Sequence, residues 1–234
     1  MKSVIITIGD EILSGDIVNT NAAFIAAELN KNNIEVTQIL AVADEYKSIF
    51  DALKNIPEDT EKIIVTGGLG PTNDDITKKV AADFFKTKLV FCNDLYENLL
   101  ARFRKRGWVM TEANKSQAFQ PEICNLIPNA KGTAPGMHFH EENRDFYFIP
   151  GVPFEMKHLL ATQILPKIAN ENITQLKTRI IRTFGMGESN IYENMKDWIA
   201  KNSTVKVAYY PKFHGVDIKL RYSAESEASV QKLI

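Results

Sequence analysis

A glycine-rich segment that ends in two adjacent carboxylates carries the clearest chemical signal in this sequence. After the apolar residues Ile63, Ile64 and Val65 and then Thr66, it consists of Gly67, Gly68, Leu69, Gly70, Pro71, Thr72, Asn73, Asp74 and Asp75. The apolar run predicts a buried strand, and apolar residues at helical spacing afterwards predict a helix that opens near Asp74 or Asp75. Backbone N–H groups at such a junction lie at the positive end of a helix dipole and bind phosphate. The segment therefore predicts an anion-binding loop.

The two carboxylates at the end of this loop indicate a cation as well. They would repel a phosphate unless a cation lay between them, and Mg²⁺ binds through one or two carboxylates plus substrate phosphates. An Asp at a helix start is also a common N-cap. Capping accounts for one of Asp74 and Asp75, so we predict a phosphate or metal role for at least one of them. The segment lacks the Lys of a P-loop and the spacing of a dinucleotide fingerprint, so neither common nucleotide motif applies.

The composition is that of an ordinary globular protein and excludes some function classes. The 234 residues are 44% hydrophobic and 24% charged, with a formal net charge of −1, which argues against nonspecific nucleic-acid binding. No apolar run approaches the roughly 20 residues of a membrane span. Cys92 and Cys124 show neither metal-type spacing nor a disulfide framework. We therefore predict a cytoplasmic protein with neither a membrane nor a nucleic acid as its partner.

Strands and helices alternate through the first part of the chain, which is typical of a parallel α/β sheet with helices on its faces. Strands are predicted at residues 4–8, 34–42 and 63–65. Asp10, Asp44 and Asp75 come just after them, and open α/β sheets bind ligands at the carboxyl ends of their strands. Solvated loop acids are the alternative interpretation for each. We predict that the three carboxylates lie at one edge of the sheet.

The remaining elements are predicted with less regular patterns. Strands are predicted at 88–91, 122–127 and 145–149, and a helix at 93–106. The cationic end of this helix, Arg102 to Arg106, suits a helix carboxyl terminus, and a phosphate-steering patch is the alternative interpretation. A second, small α+β unit is predicted from about residue 170, with a helix around 191–199, a hairpin within 205–222 and a helix that begins at 224. We therefore predict domains at 1–169 and 170–234, the second cut off within its last element.

Several of these stretches together resemble one protein family. The chain resembles the amino-terminal part of the competence/damage-inducible protein A (CinA) family, whose main domain is related to molybdopterin-binding proteins. The resemblance rests on stretches that run from residue 8 to 189 in the family's order, of which 68–75 and 150–156 are the most specific. The matching residues are 8–13, 20–21, 66–77, 117–119 with Pro121, 132–136, 150–156 and 185–189. Ile12 stands where the family often has Leu, a conservative departure.

The resemblance implies a fold, an activity and a set of site residues. It implies a three-layer, mostly parallel α/β domain followed by a small α+β domain, a homodimer, and no carboxyl-terminal amidase domain in this chain. It implies a divalent-metal-dependent pyrophosphatase, with Mg²⁺ or Co²⁺, that cleaves ADP-ribose to AMP and ribose 5-phosphate. The implied residues are Gly67, Gly68, Leu69, Gly70, Pro71, Thr72, Asn21, Gly136 and Pro153 for the substrate, Asp75 and Asp44 for catalysis, and Asp10, Asp74 and Asp75 for the metal.

The sequence therefore leads to one main hypothesis and two alternatives. In the main hypothesis the glycine-loop amides bind one phosphate, Asp75 and a neighbour hold Mg²⁺, and Asp44 orients or deprotonates the attacking water. One alternative is adenylyl or molybdenum transfer to a pterin. The other is a molybdopterin- or nucleotide-binding module without hydrolase activity. The sequence leaves the exact substrate open.

Overall fold

The computed structural model describes residues 1–170, 176–223 and 226–233. The chain divides into two compact units, Met1–Glu171 and Asn172–Ile234. In the first unit the strands are β1 (Lys2–Ile8), β2 (Glu35–Val42), β3 (Lys62–Thr66), β4 (Leu89–Phe91), β5 (Phe119–Pro121), β6 (Asn125–Ile127), β7 (Gly136–Glu141) and β8 (Arg144–Ile149). Its helices are α1 (Asp10–Leu13), α2 (Thr20–Lys31), α3 (Tyr46–Lys54), α4 (Thr77–Phe84), α5 (Asn93–Lys105), α6 (Glu112–Lys115), α7 (Pro153–Leu159) and α8 (Leu165–Asn170).

Six strands of the first unit form one mixed, mostly parallel sheet. Its order is β2-β1-β3-β8-β7-β6. The neighbours β2, β1, β3 and β8 are parallel, whereas β7 and β6 continue the sheet antiparallel. β4 and β5 form a separate antiparallel pair. Because β1 and β3 are adjacent and parallel, their carboxyl ends, and the loops that follow them, lie at the same edge of the sheet.

Helices cover both faces of this sheet, as the alternating side chains of buried strands require. Val4 and Ile6 of β1 pack in one core cluster with residues of α3 and α4. Ile5 points to the opposite face, into a second cluster with residues of α2, α7 and α8. The predicted three-layer, mostly parallel α/β fold is confirmed.

Two local predictions were wrong in the first unit, and one strand was not predicted. The helix predicted from Asp74 or Asp75 begins at Thr77. The Asp75 side chain accepts hydrogen bonds from the preceding loop, so the helix starts only after it. The predicted edge strand 122–127 is shortened to β6 because a turn occupies its first residues. Strand β7 was not predicted, since its buried Met137 and Phe139 alternate with histidines directly after a glycine and proline turn.

A polar cluster lies at the amino-terminal ends of β3 and β8, opposite the edge described above. Asp145 accepts hydrogen bonds from Lys62 Nζ at 2.5 Å, and its other oxygen lies 2.7 Å from His138 Nε2 and 2.8 Å from His140 Nδ1. Burial raises the pKa of Asp145, but the hydrogen bonds from His138, Lys62 and His140 outweigh it and hold the pKa well below its ordinary value. The cluster thus keeps a buried carboxylate ionised.

The second unit is a small antiparallel sheet with helices. Strands β9 (Leu176–Arg182), β10 (Lys206–Lys212) and β11 (Gly215–Ser223) pair in the order β10-β11-β9, with α9 (Glu188–Lys201) and α10 (Glu227–Gln231) beside them in sequence. Val216, Ile218, Leu220 and Tyr222 of β11 are buried and alternate with more exposed residues, so the predicted hairpin is confirmed. Positions 224, 225 and 234 of the last predicted helix lie outside the described residues. Across the described part of the chain, none of the helices is long and apolar enough to cross a membrane.

Candidate functional site

A cleft of about 380 Å³ lies at the carboxyl-terminal edge of the parallel strands. The segments that follow β1, β2, β3 and β8 line it, so it is built where an open α/β sheet places its ligands. The first five residues of the predicted anion-binding loop line the cleft: Gly67, Gly68, Leu69, Gly70 and Pro71. The carboxylate residues Glu11, Asp44, Asp74, Asp75 and Glu155 line it as well.

Two glycines let the loop pass close to its neighbours. Gly67 has a φ of +117°, and a Cβ there would lie 2.2 Å from the backbone oxygen of Ile8. Gly68 has a φ of +64°, and its Cβ would lie 2.2 Å from Thr77 Oγ1. L-residues with side chains rarely adopt these φ values. The loop therefore needs glycine at both positions to hold its backbone at the floor of the cleft.

The carboxylate of Asp75 holds the loop closed. Its oxygens accept hydrogen bonds from Gly70 N at 2.7 Å and Thr72 N at 2.9 Å, and also from the Thr72 hydroxyl. These two N–H groups are therefore satisfied by the protein itself. The N–H groups of Gly68 and Leu69, by contrast, have no acceptor among the described residues. The loop thus places two adjacent residues whose N–H groups have no acceptor among the described residues in the lining of the cleft, and Asp75 fixes the part of the loop that follows them.

Asp10 and Asp44 join the ends of β1 and β2. Asp10 N donates to Asp44 Oδ2 at 3.1 Å, and Asp44 N donates to Asp10 Oδ1 at 3.3 Å. Burial raises the pKa of Asp44; the bond from Asp10 N lowers it, and the negative charges of Asp10, Glu11 and Asp74 raise it further. These carboxylates are close enough to interact, so this side of the cleft has a negative potential that favours a cation.

The donors present fit a divalent cation shared with a ligand. Across the described ranges no group of three or more His, Cys, Asp or Glu residues is arranged to hold a metal ion alone. Mg²⁺ does not need such a group when substrate phosphates supply ligands. Asp44 and Asp74 both line the cleft and interact electrostatically, which suits this arrangement. Asp10 lies outside the lining, because its carboxylate is turned to the Asp44 amide.

Four other predicted substrate residues lie outside the lining of the cleft. Thr72 is bound to Asp75, and Asn21 donates to Gly151 O at 2.6 Å, which holds the turn that follows β8. Gly136 is buried in β7, where a Cβ would lie 3.1 Å from Phe148 O. Pro153 is in the first turn of α7. The structure therefore places these residues behind or beside the cleft, and their direct contact with substrate stays a prediction.

Several residues of the site were not selected from the sequence. Glu155 and Glu11 line the cleft, but neither was among the residues predicted for the site. Gln117 and Thr133 line it too, joined by a 3.2 Å hydrogen bond. Lys78 lies outside the lining; its Nζ donates to Ser116 O at 2.9 Å, and burial lowers its pKa to about 8, against the charge of Asp75. Glu11, Gln117, Thr133 and Glu155 all lie within the stretches that resemble the family, and this signal could have identified them.

Comparisons with known proteins match both units. The family described as "probable molybdopterin binding domain" matches residues 4–170, and "damage-inducible protein CinA KH domain" matches residues 178–234. A solved structure titled "The crystal structure of the protein CinA with unknown function from Thermoplasma acidophilum" is 33% identical, with a TM-score of 0.65, and the match covers 72% of this chain and 97% of that one.

Curated relatives extend the match over nearly the whole chain. A "CinA-like protein" of Flavobacterium psychrophilum is 39% identical over 94% of this chain and 53% of its own length. A "CinA-like protein" of Cytophaga hutchinsonii is 40% identical over 97% of this chain and 55% of its own length. A "putative competence-damage inducible protein" of Clostridium beijerinckii is 37% identical over 100% of this chain and 57% of its own length. The chain thus spans a little over half the length of these relatives.

Proposed function

Because this chain belongs to the CinA family of competence/damage-inducible proteins, and its first unit to the molybdopterin-binding-like domains, we propose that the cleft binds a phosphate-bearing ligand of the nucleotide or pterin class. The observation that carries this proposal is the pair of unpaired N–H groups of Gly68 and Leu69, held at the cleft by the Asp75 carboxylate. Preorganised backbone donors of this kind form anion-binding concavities. If the cleft only binds this ligand and does not convert it, the first unit is a molybdopterin- or nucleotide-binding module.

We further propose that the bound ligand is a nucleotide diphosphate that the cleft hydrolyses. The negative potential around Asp44 and Asp74 supports this step, because binding of a diphosphate beside these carboxylates requires a divalent cation between them. A bound Mg²⁺ or Co²⁺ supplies charge neutralisation and polarisation of the phosphoryl group. With ADP-ribose, water adds to one phosphorus and the P–O–P bond breaks, which releases AMP and ribose 5-phosphate.

The chain's own residues have distinct parts in this proposal. Gly68 and Leu69 donate to phosphate oxygens, and Asp75 positions them. Asp44 accepts a proton from the attacking water or orients it. Asp74 would hold the cation together with the phosphates. Asp10 holds Asp44 through the paired backbone bonds described above.

The test separates binding from turnover. AMP release from ADP-ribose is measured with Mg²⁺ or Co²⁺, with EDTA, and for Asp44→Asn, while ligand affinity is measured by calorimetry. Asp197→Asn, an exposed aspartate of α9 in the second unit, is the matched control. Hydrolysis predicts turnover that disappears with EDTA and falls in Asp44→Asn by a factor of about 10² or more, the usual range for loss of a general base.

The alternatives predict different results in the same assay. Tight binding of AMP or of a pterin phosphate without AMP release would refute hydrolysis and leave the binding module. Failure of every phosphate ligand to bind would refute both. The homodimer implied by the resemblance also stays a proposal, which light scattering of the purified chain tests directly.

A further inference from the structure

A second recess, open to solvent and of about 660 Å³, adjoins the cleft. Thr133 and Glu155 line both cavities, so one wall separates them. On its far side the recess is lined by two aromatic side chains, Trp108 and Phe154, and by the cations Arg106 and Lys131. None of these four residues entered the site considered so far.

The two aromatic side chains are exposed, and contacts hold Trp108 in place. Trp108 is 56% exposed and Phe154 is 58% exposed. The Trp108 ring packs edge-on against Phe103 at 6.0 Å between centroids, Arg106 lies 5.0 Å from its ring centroid, and Trp108 N donates to Phe103 O at 2.9 Å. Large aromatic surface left in water at fixed positions is typical of a binding surface.

The wall between the two cavities is rigid because Asn129 and Arg102 hold it. Asn129 Oδ1 accepts from Lys131 N and Gly132 N, each at 3.0 Å, and its amide donates to Ala134 O at 2.9 Å and to Glu155 Oε2 at 2.6 Å. Arg102 donates to Asn129 O at 2.7 Å and to Gly132 O. A Cβ on Gly132 would overlap the Glu155 carboxylate. Glu155 is therefore fixed at the junction of the cleft and the recess.

We propose that the recess binds the base of a ribonucleotide whose phosphates lie in the cleft, and that Glu155 accepts hydrogen bonds from the ribose hydroxyls between them. This inference rests on the phosphate-binding function proposed above and specifies its ligand class. A carboxylate repels phosphate but accepts hydrogen bonds from a ribose diol. Exposed aromatic rings stack on bases, and Arg106 and Lys131 complement an anionic ligand.

The order of chemical groups along the two cavities favours a nucleotide over a pterin. Backbone donors come first at Gly68 and Leu69, then the acceptor Glu155, then the aromatic pair. This sequence of anion, hydroxyl and ring sites matches phosphate, ribose and base. A pterin phosphate has a ring and an anion but no ribose diol at that position, so it would leave Glu155 without hydroxyl donors.

Fluorescence of Trp108 tests the proposal independently of turnover. The chain has two tryptophans, so Trp198→Phe makes Trp108 the only one. We expect AMP to quench its fluorescence and ribose 5-phosphate to leave it unchanged. In the otherwise native chain, Trp108→Ala should weaken AMP binding by about 5- to 100-fold, the range for loss of one base–aromatic stack, and should not change ribose 5-phosphate binding. Phe213→Ala, at an aromatic residue that is 97% exposed in the second unit, is the matched control.

A second arm tests the ribose contact. The wild-type protein should bind AMP more tightly than 2′-deoxy-AMP. In Glu155→Gln the ratio of the two affinities should fall by about tenfold, the scale of one hydrogen bond to a charged group. Affinity for inorganic phosphate should not fall in this variant. Equal affinity of the wild-type protein for AMP and 2′-deoxy-AMP would refute the role of Glu155.

The results distinguish failure of this inference from failure of the proposed function. Quenching by AMP without any hydrolysis would sink the hydrolase proposal and keep the base site. Phosphate binding or hydrolysis that persists with no Trp108 quenching, and with unchanged AMP affinity in Trp108→Ala, would overturn the base site and keep the cleft. No binding of AMP, ribose 5-phosphate or phosphate would overturn both.

Discussion

Removing the Asp75 carboxylate should open the anion-binding loop, and the structure gives the size of the effect. Asp75→Ala deletes the acceptor of the N–H groups of Gly70 and Thr72 and of the Thr72 hydroxyl. The Gly70 bond is partly buried and the other two are exposed, so the Gly70 bond dominates. A hydrogen bond to a charged group contributes about 1.5–3 kcal/mol, which corresponds to faster amide exchange by about 10- to 150-fold through local opening.

Hydrogen exchange at residues 68–76 measures this opening directly. We expect faster exchange at Gly70 and Thr72 in Asp75→Ala, a smaller increase in Asp75→Asn because one acceptor oxygen remains, and no change in the core strand β3. Asp74→Asn is the matched control, since it removes the same charge at the adjacent position without touching the Gly70 and Thr72 amides.

Unchanged exchange at Gly70 and Thr72 in Asp75→Ala would refute the positioning role. If ligand turnover disappeared while the exchange stayed at the wild-type rate, Asp75 would act on the substrate or the cation directly, as the sequence hypothesis had it. Loss of turnover together with faster exchange at Gly70 and Thr72 would follow from the positioning role alone. The exchange measurement is therefore needed before any activity lost in an Asp75 variant is assigned to chemistry.

Three further predictions concern stability. Gly67→Ala should lower the melting temperature by roughly 4–12 °C, because its Cβ would meet the Ile8 carbonyl at a φ of +117°. Gly187→Ala, a control with open space around the added Cβ, should leave the melting temperature unchanged. Equal melting temperatures of the two variants would contradict the close approach of Gly67 to Ile8. The depressed pKa of Asp145 contributes stability that is present above its ordinary pKa of about 4 and is lost as pH falls below it, so urea midpoints between pH 5 and 2 should fall less steeply in Asp145→Asn. Burial lowers the pKa of Lys78 to about 8, so between about pH 8 and 10.5 the unfolded chain binds more protons than the folded one, and the free energy of unfolding should rise with pH over that interval. Lys78→Met should reduce this rise. Parallel pH profiles of unfolding for the wild-type protein and Lys78→Met would contradict this prediction.

The sequence predicted the parts of the fold that depend on local pattern. The alternation of apolar strands and amphipathic helices was enough for the layered α/β fold, and the position of Asp10 and Asp44 after their strands was enough to place them at one edge. Strand β7 was missed because its histidines and the preceding turn residues masked the period-two pattern of Met137 and Phe139. Periodicity identifies elements and the ends of strands, and these are properties of neighbouring residues.

The finer features of the site depend on contacts between distant residues, which cannot be predicted from the pattern of a single sequence. The Asp75 carboxylate could cap a helix or close the loop before it, and only the backbone path decides between them. Glu155 has an ordinary explanation in a first helical turn until Asn129 and Gly132 are seen to hold it against the wall of the cleft. The recess draws on residues near 106, 131 and 155, so no window of sequence contains it.

From the parallel pairing of β3 and β8 we expect the cleft to form late in folding. Lys62 and Asp145, which meet at the start of these strands, are 83 positions apart in the chain. Closure of so long a loop is slow, and the stabilising contacts form only after its entropy has been lost. The turn after β8, which carries Gly151 and Glu155, therefore completes the binding site only once this strand has docked. A chain still emerging from the ribosome exposes the glycine loop without its opposite wall, so ligand binding reports completed folding of the whole first unit.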